Sequence, residues 1–104
     1  MGIFNKNRKP ENKGSIIKIL KPYMDYPIDK GRKKELLKAL DNKIGEYTND
    51  KGQLDFQGVI DELYESCFEH KEITTIEYTY LIQVVSLYVY HIVIAGVPID
   101  LKEL

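Results

Sequence analysis

The chain has 104 residues, of which 30% are charged, with a formal net charge of -1 and a single cysteine. This length allows one small core without metal or disulfide staples, and a lone cysteine excludes an intramolecular disulfide and a multi-cysteine metal site. We therefore expect one domain in a reducing compartment, with the cytosol as the default location.

Charge is distributed unevenly along the chain. Residues 1–51 carry 13 Lys/Arg against seven acids, whereas residues 52–104 carry two against nine. A basic half can contact anionic lipid or nucleic acid, and an acidic half can contact a cationic peptide or protein. Alternatively, the two halves attract each other within the fold. The whole chain is mildly acidic and lacks a recognition-helix motif, so we do not expect nucleic-acid binding.

The first half predicts a leader and two helices. Residues 1–14, rich in Lys, Asn and Pro, are expected to form a flexible basic leader without a secretory signal. Ser15 is a candidate N-cap for a short first helix that ends between Pro22 and Pro27. A second, amphipathic helix is predicted after Asp29. Its apolar residues recur at helical spacing: Leu36, Leu37, Leu40, Ile44 and Tyr47.

A third helix is predicted to begin at the N-cap Asp55, after a polar turn. Gly58 in its first turn costs about 1 kcal/mol relative to Ala, which we interpret as a sign of close helix contact. The predicted core stripe comprises Phe56, Val59, Ile60, Leu63, Tyr64, Cys67 and Phe68. Acidic residues lie on the other face of this helix, so one side is expected to be a charged surface.

The fourth predicted helix contains a long run without charge, between Glu77 and Asp100. Thr74 and Glu77 have the spacing of a capping box, and Gly96 and Pro98 mark the end of the helix. Its most polar residues, Thr79, Gln83, Ser86 and Tyr90, form one helical stripe. This spacing favours a helix of a soluble bundle.

Two other interpretations of this run stay open. Val, Ile and Tyr are so frequent that residues 80–95 are also compatible with strands in an α+β fold. Residues 78–99 are also long and apolar enough to cross a membrane. Our prediction is the all-α one: residues 15–104 form a single antiparallel four-helix bundle.

No motif in the sequence predicts catalysis. Cys67 and His70 are three positions apart, but Cys67 falls in the apolar stripe and is better explained as a core residue. No metal-ligand spacing, phosphate-binding loop or nucleophile motif occurs in the chain. We predict a non-enzymatic protein that has no metal and no cofactor.

From residue 36 to about residue 85 the order of features resembles the bacteriocin immunity proteins of the enterocin A type. The similar segments read LLKALDNKIGEY, then LDFQGVIDELYESCF after a polar turn, then HKEITTIEYTYLIQVV. The resemblance implies an antiparallel four-helix bundle in the cytoplasm of a Gram-positive bacterium, where it protects its host without enzymatic activity. It also implies recognition of a membrane receptor complex occupied by the bacteriocin, with specificity in the C-terminal half and tail.

We therefore predict a partner-binding protein for bacteriocin or toxin immunity, with a cationic peptide or a protein as its partner. Acidic residues would steer the partner to the surface, and tyrosines would anchor it there. The predicted binding residues are Glu62, Glu65, Glu69, Glu72, Tyr80, Tyr90, Asp100, Lys102 and Leu104. The alternatives are a self-associating protein, as a homodimer through the fourth helix, and a membrane protein inserted through residues 78–99.

Overall fold

The computed structural model describes residues 21–97, 99–101 and 104. These residues form three α-helices: α1 (Lys30–Glu46), α2 (Phe56–Tyr64) and α3 (Thr75–Ala95). A 3-10 turn occupies Lys21–Met24, and a π-helical turn at Glu65–Glu69 extends α2. The described residues contain no strand, so the all-α class is confirmed. The leader and residues 15–20 of the predicted first helix lie outside the described residues, and the described part of that predicted helix begins with the 3-10 turn. The four-helix bundle therefore stays a prediction.

The N-terminus of each of the first two helices is fixed by an aspartate. The Asp29 carboxylate accepts a hydrogen bond from the Gly31 N–H at the start of α1, and Asp55 accepts one from Gly58 at the start of α2. Each carboxylate satisfies a backbone donor that has no partner within its helix. Both predicted starts are confirmed to within a few residues.

The turn between α1 and α2 brings Tyr47 against Gly58. An isolated antiparallel bridge pairs Thr48 with Leu54, and the Asp55 N–H donates to the Tyr47 carbonyl at 2.8 Å. A Cβ atom placed on Gly58 would lie only 2.5 Å from Cε1 of Tyr47. The predicted close contact at Gly58 is thus present, and it is made by the residue that ends α1.

The predicted capping box starts α3. The Thr74 N–H donates to the Glu77 carboxylate at 3.0 Å, and the Glu77 N–H donates to the Thr74 hydroxyl at 3.1 Å. Glu77 also accepts from Nε and Nη2 of Arg32 at 2.9 and 3.0 Å, which is a bidentate pair across 45 residues of sequence. One carboxylate therefore connects the beginning of α3 to the first turn of α1.

By their contacts the described residues form two compact units, and α3 contributes to both. The unit of residues 26–85 has a core drawn from all three helices. Its buried apolar residues are Leu36, Leu37, Leu40, Ile44, Val59, Leu63, Cys67, Tyr80, Leu81, Val84 and Val85. The α3 members recur at helical spacing, and this one-sided packing outweighs the β-propensity of the segment. The alternative with strands at residues 80–95 is therefore wrong.

The second unit comprises residues 21–25 and 86–104, apart from those outside the description. Its buried side chains are Met24, Leu87, His91, Ile99 and Leu101. Gly96 ends α3 with a φ of 77°, a left-handed conformation that suits glycine, as its position after the apolar run predicted. The chain then turns so that Ile99 and Leu101 become buried.

Candidate partner-binding surface

The π-helical turn after α2 changes which side chains face the core. The His70 N–H donates to the Glu65 carbonyl at 2.8 Å, a bond between residues five apart where an α-helix would join residues four apart. This wider turn rotates the residues around it relative to a regular helix. Cys67 remains buried, but Tyr64 is 50% exposed and Phe68 47% exposed. The prediction that both aromatic residues belong to the core stripe is therefore wrong. Phe56, at the other end of α2, is also exposed.

The displaced rings form an aromatic cluster with Tyr78 of α3. The ring centroids of Tyr64 and Phe68 are 4.8 Å apart, and those of Phe68 and Tyr78 are 5.4 Å apart. Tyr64 and Tyr78 meet edge to face at 6.4 Å. Each such pair contributes about 0.5–1.5 kcal/mol beyond its area burial, so the rings hold one another in place while two of them remain largely exposed.

The loop that follows is tied back to the π-helical turn. The backbone N–H of Glu72 donates to the Ser66 carbonyl at 2.7 Å, and Nη2 of Arg32 donates to the Glu72 carbonyl at 3.3 Å. Lys71 between them has a φ of 56°, which is costly for a residue with a side chain. The loop is therefore held in a defined conformation beside the aromatic cluster.

Three of the predicted acidic residues lie on this segment with exposed side chains. Glu65 and Glu69 flank the π-helical turn and Glu72 lies in the loop. Within the described residues, the ion pairs involve none of their carboxylates. We call these residues, together with the aromatic cluster, the acidic aromatic surface: Tyr64, Glu65, Phe68, Glu69, Glu72 and Tyr78.

Glu62, also predicted to contact a partner, has internal partners instead. Its carboxylate lies 2.7 Å from Nζ of Lys43 and accepts a hydrogen bond from the Tyr47 hydroxyl. The bond from Lys43, followed by that from Tyr47, lowers the pKa of Glu62. The bond to Glu62 raises the pKa of both Lys43 and Tyr47. Glu62 thus connects α2 to the end of α1, and we leave it out of the surface.

Tyr80, predicted as an exposed anchor, belongs to the core. Its side chain is only 2% exposed, and burial raises the pKa of its hydroxyl. The ring of Tyr26 packs edge to face on it at 5.9 Å, and Nζ of Lys33 lies 5.5 Å from its ring centroid. It lies on the packed side of α3, away from the stripe that begins at Thr79, and for that reason it cannot anchor a partner.

The remaining predicted contact residues lie in the second unit. Tyr90 is 50% exposed on α3, and Asp100 is exposed in the tail. Leu104 is half-buried, and its N–H donates to the Leu101 carbonyl at 3.1 Å. Lys102 lies outside the described residues. The four polar-stripe residues of α3, including Tyr90, are all exposed, as their spacing predicted.

Sequence reasoning missed a buried histidine on the last turns of α3. His91 is fully buried, and its Nδ1 lies 2.8 Å from the Val97 carbonyl. This geometry makes Nδ1 the donor, which leaves Nε2 without a partner among the described residues. The bond joins the helix to the segment just beyond Gly96. Only the absence of charge around His91 in the sequence could have indicated its burial.

The described side chains do not assemble a recognisable catalytic or metal-binding group. Cys67 is buried while His70 is exposed. No group of three His, Cys, Asp or Glu side chains comes together in the part of the chain that the structure describes. The feature with binding chemistry in the unit of residues 26–85 is thus the acidic aromatic surface.

Comparisons with known proteins find no relative of this chain. No protein-family model, no curated protein and no solved structure matches this chain. Within the described residues, one helix, Thr75–Ala95, is long and apolar enough to cross a membrane by length and composition, with a mean hydropathy of 1.5. Proposals about function therefore depend on the side-chain chemistry and on the resemblance described above.

Proposed function

We propose that this chain is a non-enzymatic cytoplasmic protein that captures a cationic peptide or protein on the acidic aromatic surface. Its proposed role is immunity to a bacteriocin or toxin, as the resemblance to the enterocin A type implies. Among the partners we include a membrane receptor complex occupied by the toxin. The fold proposed for this role is the antiparallel four-helix bundle, in which the helix predicted from Ser15 would be the first.

The observation that supports the proposal is the juxtaposition of exposed rings and unpaired acids. Phe68 is 47% exposed and packs against the exposed ring of Tyr64. Contiguous exposed apolar area of this kind marks interaction sites in soluble proteins. Because Phe68 lies between Glu65 and Glu69 on one helical segment, a partner that covers the ring also meets carboxylates.

This chemistry selects a partner that is both cationic and amphipathic. Lys and Arg would pair with the carboxylates and accelerate encounter, and Arg could also stack on Tyr64 or Tyr78. Apolar side chains of the partner would cover Phe68, and fully desolvated aromatic anchors of this type dominate binding energies. An anionic partner would be repelled, so the surface discriminates by charge as well as by shape.

The tail is the proposed determinant of specificity, following the resemblance. Asp100 and Leu104 would contribute to it together with Lys102 and with Tyr90 of α3. These residues belong to the second compact unit, whereas the acidic aromatic surface belongs to the unit of residues 26–85. In this proposal the acidic aromatic surface provides general affinity for cationic partners. The tail determines which partner is chosen.

Binding to a defined probe tests the proposal. The probe is a synthetic amphipathic helix with Lys and Leu faces, titrated into the purified chain by calorimetry, and a Glu/Leu helix of equal length is its control. Phe68→Ser should weaken binding by about 30-fold, the loss of one aromatic anchor worth about 2 kcal/mol. A triple variant neutralises the acids of the surface: Glu65→Gln, Glu69→Gln and Glu72→Gln.

The charge test has a matched control on the same unit. Three exposed acids elsewhere are neutralised in the same way: Asp41→Asn, Glu46→Gln and Asp50→Asn. The surface variant should lose affinity at low salt and the control should keep it, because steering depends on local charge. Equal affinities in both variants would reject the proposed role of the acidic aromatic surface.

Expression of the chain in a strain sensitive to pediocin-like peptides should raise survival, and Phe68→Ser should remove that protection.

A further inference from the structure

The last turns of α3 present a second, quite different surface. Three exposed apolar side chains lie on one side of the helix at i, i+3 and i+4 spacing, and a fourth, Val97, is exposed just beyond the helix end. Tyr90 is 50% exposed, Val93 74%, Ile94 55% and Val97 47%. We call these four residues the α3 apolar face. It contains no charge, and its one side-chain hydrogen-bonding group is the Tyr90 hydroxyl.

The opposite side of the same turns is packed inside the protein. Leu87 and His91 are buried, and His91 is held to the Val97 carbonyl at 2.8 Å. Ile99 and Leu101, beyond the end of the helix, are buried as well. A helix that crosses a membrane contacts lipid or other spanning helices along its whole length. The last turns of α3, in contrast, are exposed and apolar on one side only. Its geometry fits a helix that lies on a surface.

The chemistry of the α3 apolar face and of the chain favours lipid as the binding partner of this face. From residue 78 to residue 99 there is no charged side chain, so α3 offers no charge beside the face to fix the register of a protein partner. Tyrosine with its polar end in water is typical of a membrane interface. In addition, residues 1–21 carry six Lys/Arg against one acid, a composition that anionic headgroups attract.

We propose that the α3 apolar face docks on the headgroup region of an anionic membrane, with α3 lying on the bilayer and not crossing it. The face inserts Val93 and Ile94 between headgroups while the buried side, with His91, keeps its protein contacts. This activity is separate from capture on the acidic aromatic surface, because it uses other residues and another chemistry; of the residues proposed for partner choice, it shares Tyr90. It would hold the protein at the membrane without a lipid anchor.

Vesicle co-sedimentation tests this docking with the full chain and no detergent. The probes are vesicles of phosphatidylcholine alone and of equal parts phosphatidylcholine and phosphatidylglycerol. We expect binding to the mixed vesicles and a loss of about tenfold or more in Val93→Asp/Ile94→Asp, since charge on an inserted face opposes burial at the interface. Both positions are exposed, so the variant should fold, and circular dichroism checks that it does.

The control places the same two charges at the other end of the same helix, as Thr75→Asp/Thr79→Asp. Both threonines are exposed, and acids in a first helical turn are favourable. This control should bind the mixed vesicles like the unaltered chain, as should Phe68→Ser, which separates docking from capture of a peptide. High salt should release the bound protein, whereas a spanning protein would stay.

Four results would overturn the docking proposal. One is equal binding of the unaltered chain and Val93→Asp/Ile94→Asp to mixed vesicles, and another is the absence of binding to them. The third is a lipid-free dimer in sedimentation equilibrium that Val93→Asp/Ile94→Asp converts to monomer, because a second copy would then cover the face. A sample that requires detergent would also contradict it.

Discussion

The absence of a side chain at Gly58 allows the close contact between the turn after α1 and the first turn of α2. A Cβ at this position would lie 2.5 Å from Cε1 of Tyr47 and 2.7 Å from the Asp55 carboxylate, so any larger residue forces the turn between α1 and α2 to move. Its conformation is an ordinary helical one. The glycine is required by space and not by backbone angle.

We expect Gly58→Ala to lower the free energy of unfolding by about 1–3 kcal/mol, the usual cost of overpacking, despite the better helix propensity of alanine. Gly45→Ala is the matched control, because nothing lies within 4 Å of a Cβ there. That variant should gain about 0.5–1 kcal/mol. Urea unfolding followed by circular dichroism measures both. Stabilisation in both variants would mean that Tyr47 does not pack against Gly58.

Glu77 makes stability depend on pH. The hydrogen bond from Arg32, together with that from the Thr74 backbone, lowers the pKa of its carboxyl. A folded-state pKa below the unfolded one contributes stability that is fully present above the usual Glu pKa of about 4.3 and is lost as pH falls through the folded value. Acid should therefore weaken the connection between α1 and α3.

Glu77→Gln should be less stable than the unaltered chain at pH 7, by about 1–3 kcal/mol for the loss of charged hydrogen bonds. The difference should shrink as pH falls through the acid range, because protonation removes the same charge. Thermal unfolding over a series of pH values measures this convergence. Glu46→Gln, an exposed acid with only a 3.7 Å contact to Lys43, is the control and should change little. A difference that is constant with pH would contradict the assignment.

At the scale of the element, the π-helical turn is the least expected feature of the fold. It keeps Cys67 in the core and turns Phe68 outward, although the two residues are adjacent. A π-helical turn contains one more residue than an α-helical one, and such turns are frequent at functional sites. The exposed ring of Phe68 lies on this turn and belongs to the acidic aromatic surface.

Thiol chemistry can test the register of the π-helical turn, because Cys67 is the only cysteine. We expect native Cys67 to react with an aromatic disulfide reagent only as fast as the protein opens, so its rate should rise with urea. Phe68→Cys in a Cys67→Ser background should react at nearly the rate of a free thiol. A protected thiol at position 68 would mean that α2 continues as a regular helix with that side chain inside.

The helix starts could be predicted from sequence because their causes are local. Asp55 and the pair Thr74 and Glu77 make the capping bonds that the sequence predicted, and Asp29, which was not predicted as a cap, bonds to the Gly31 N–H. Each of these bonds joins residues no more than three apart. The π-helical turn could not be predicted, since a periodicity of 3.6 residues assumes bonds between residues four apart. The helical periodicity also placed Phe56, Tyr64 and Phe68 in the core, although all three are exposed, and so it missed the aromatic cluster.

Burial depends on tertiary contacts that no local pattern contains. Tyr80 and Tyr90 look alike in the sequence, yet one is 2% exposed and the other 50%. His91 is fully buried while Val93, two residues on, is 74% exposed, the reverse of what their polarity suggests. The candidate surfaces were therefore only partly predictable: three of the four proposed glutamates remain in the acidic aromatic surface, and none of its rings was proposed.

At the scale of the whole molecule, the charge asymmetry is partly used inside the fold. Among the described residues, the basic first half meets the acidic second half at Arg32 with Glu77 and at Lys43 with Glu62. The idea that the halves attract each other is thus correct for these residues. The carboxylates of Glu65, Glu69 and Glu72 take no part in the ion pairs of the described residues, and they are available to a partner.

The double use of Glu77 has a consequence for the order of folding. Its bonds with Thr74 join residues three apart and can form as soon as α3 nucleates, whereas its bonds with Arg32 close a loop of 45 residues and carry a larger entropic cost. Loss of the Thr74 hydroxyl should then slow folding, while loss of the Arg32 guanidinium should chiefly accelerate unfolding. One carboxylate would thus act early in the folding reaction through one partner and late through the other.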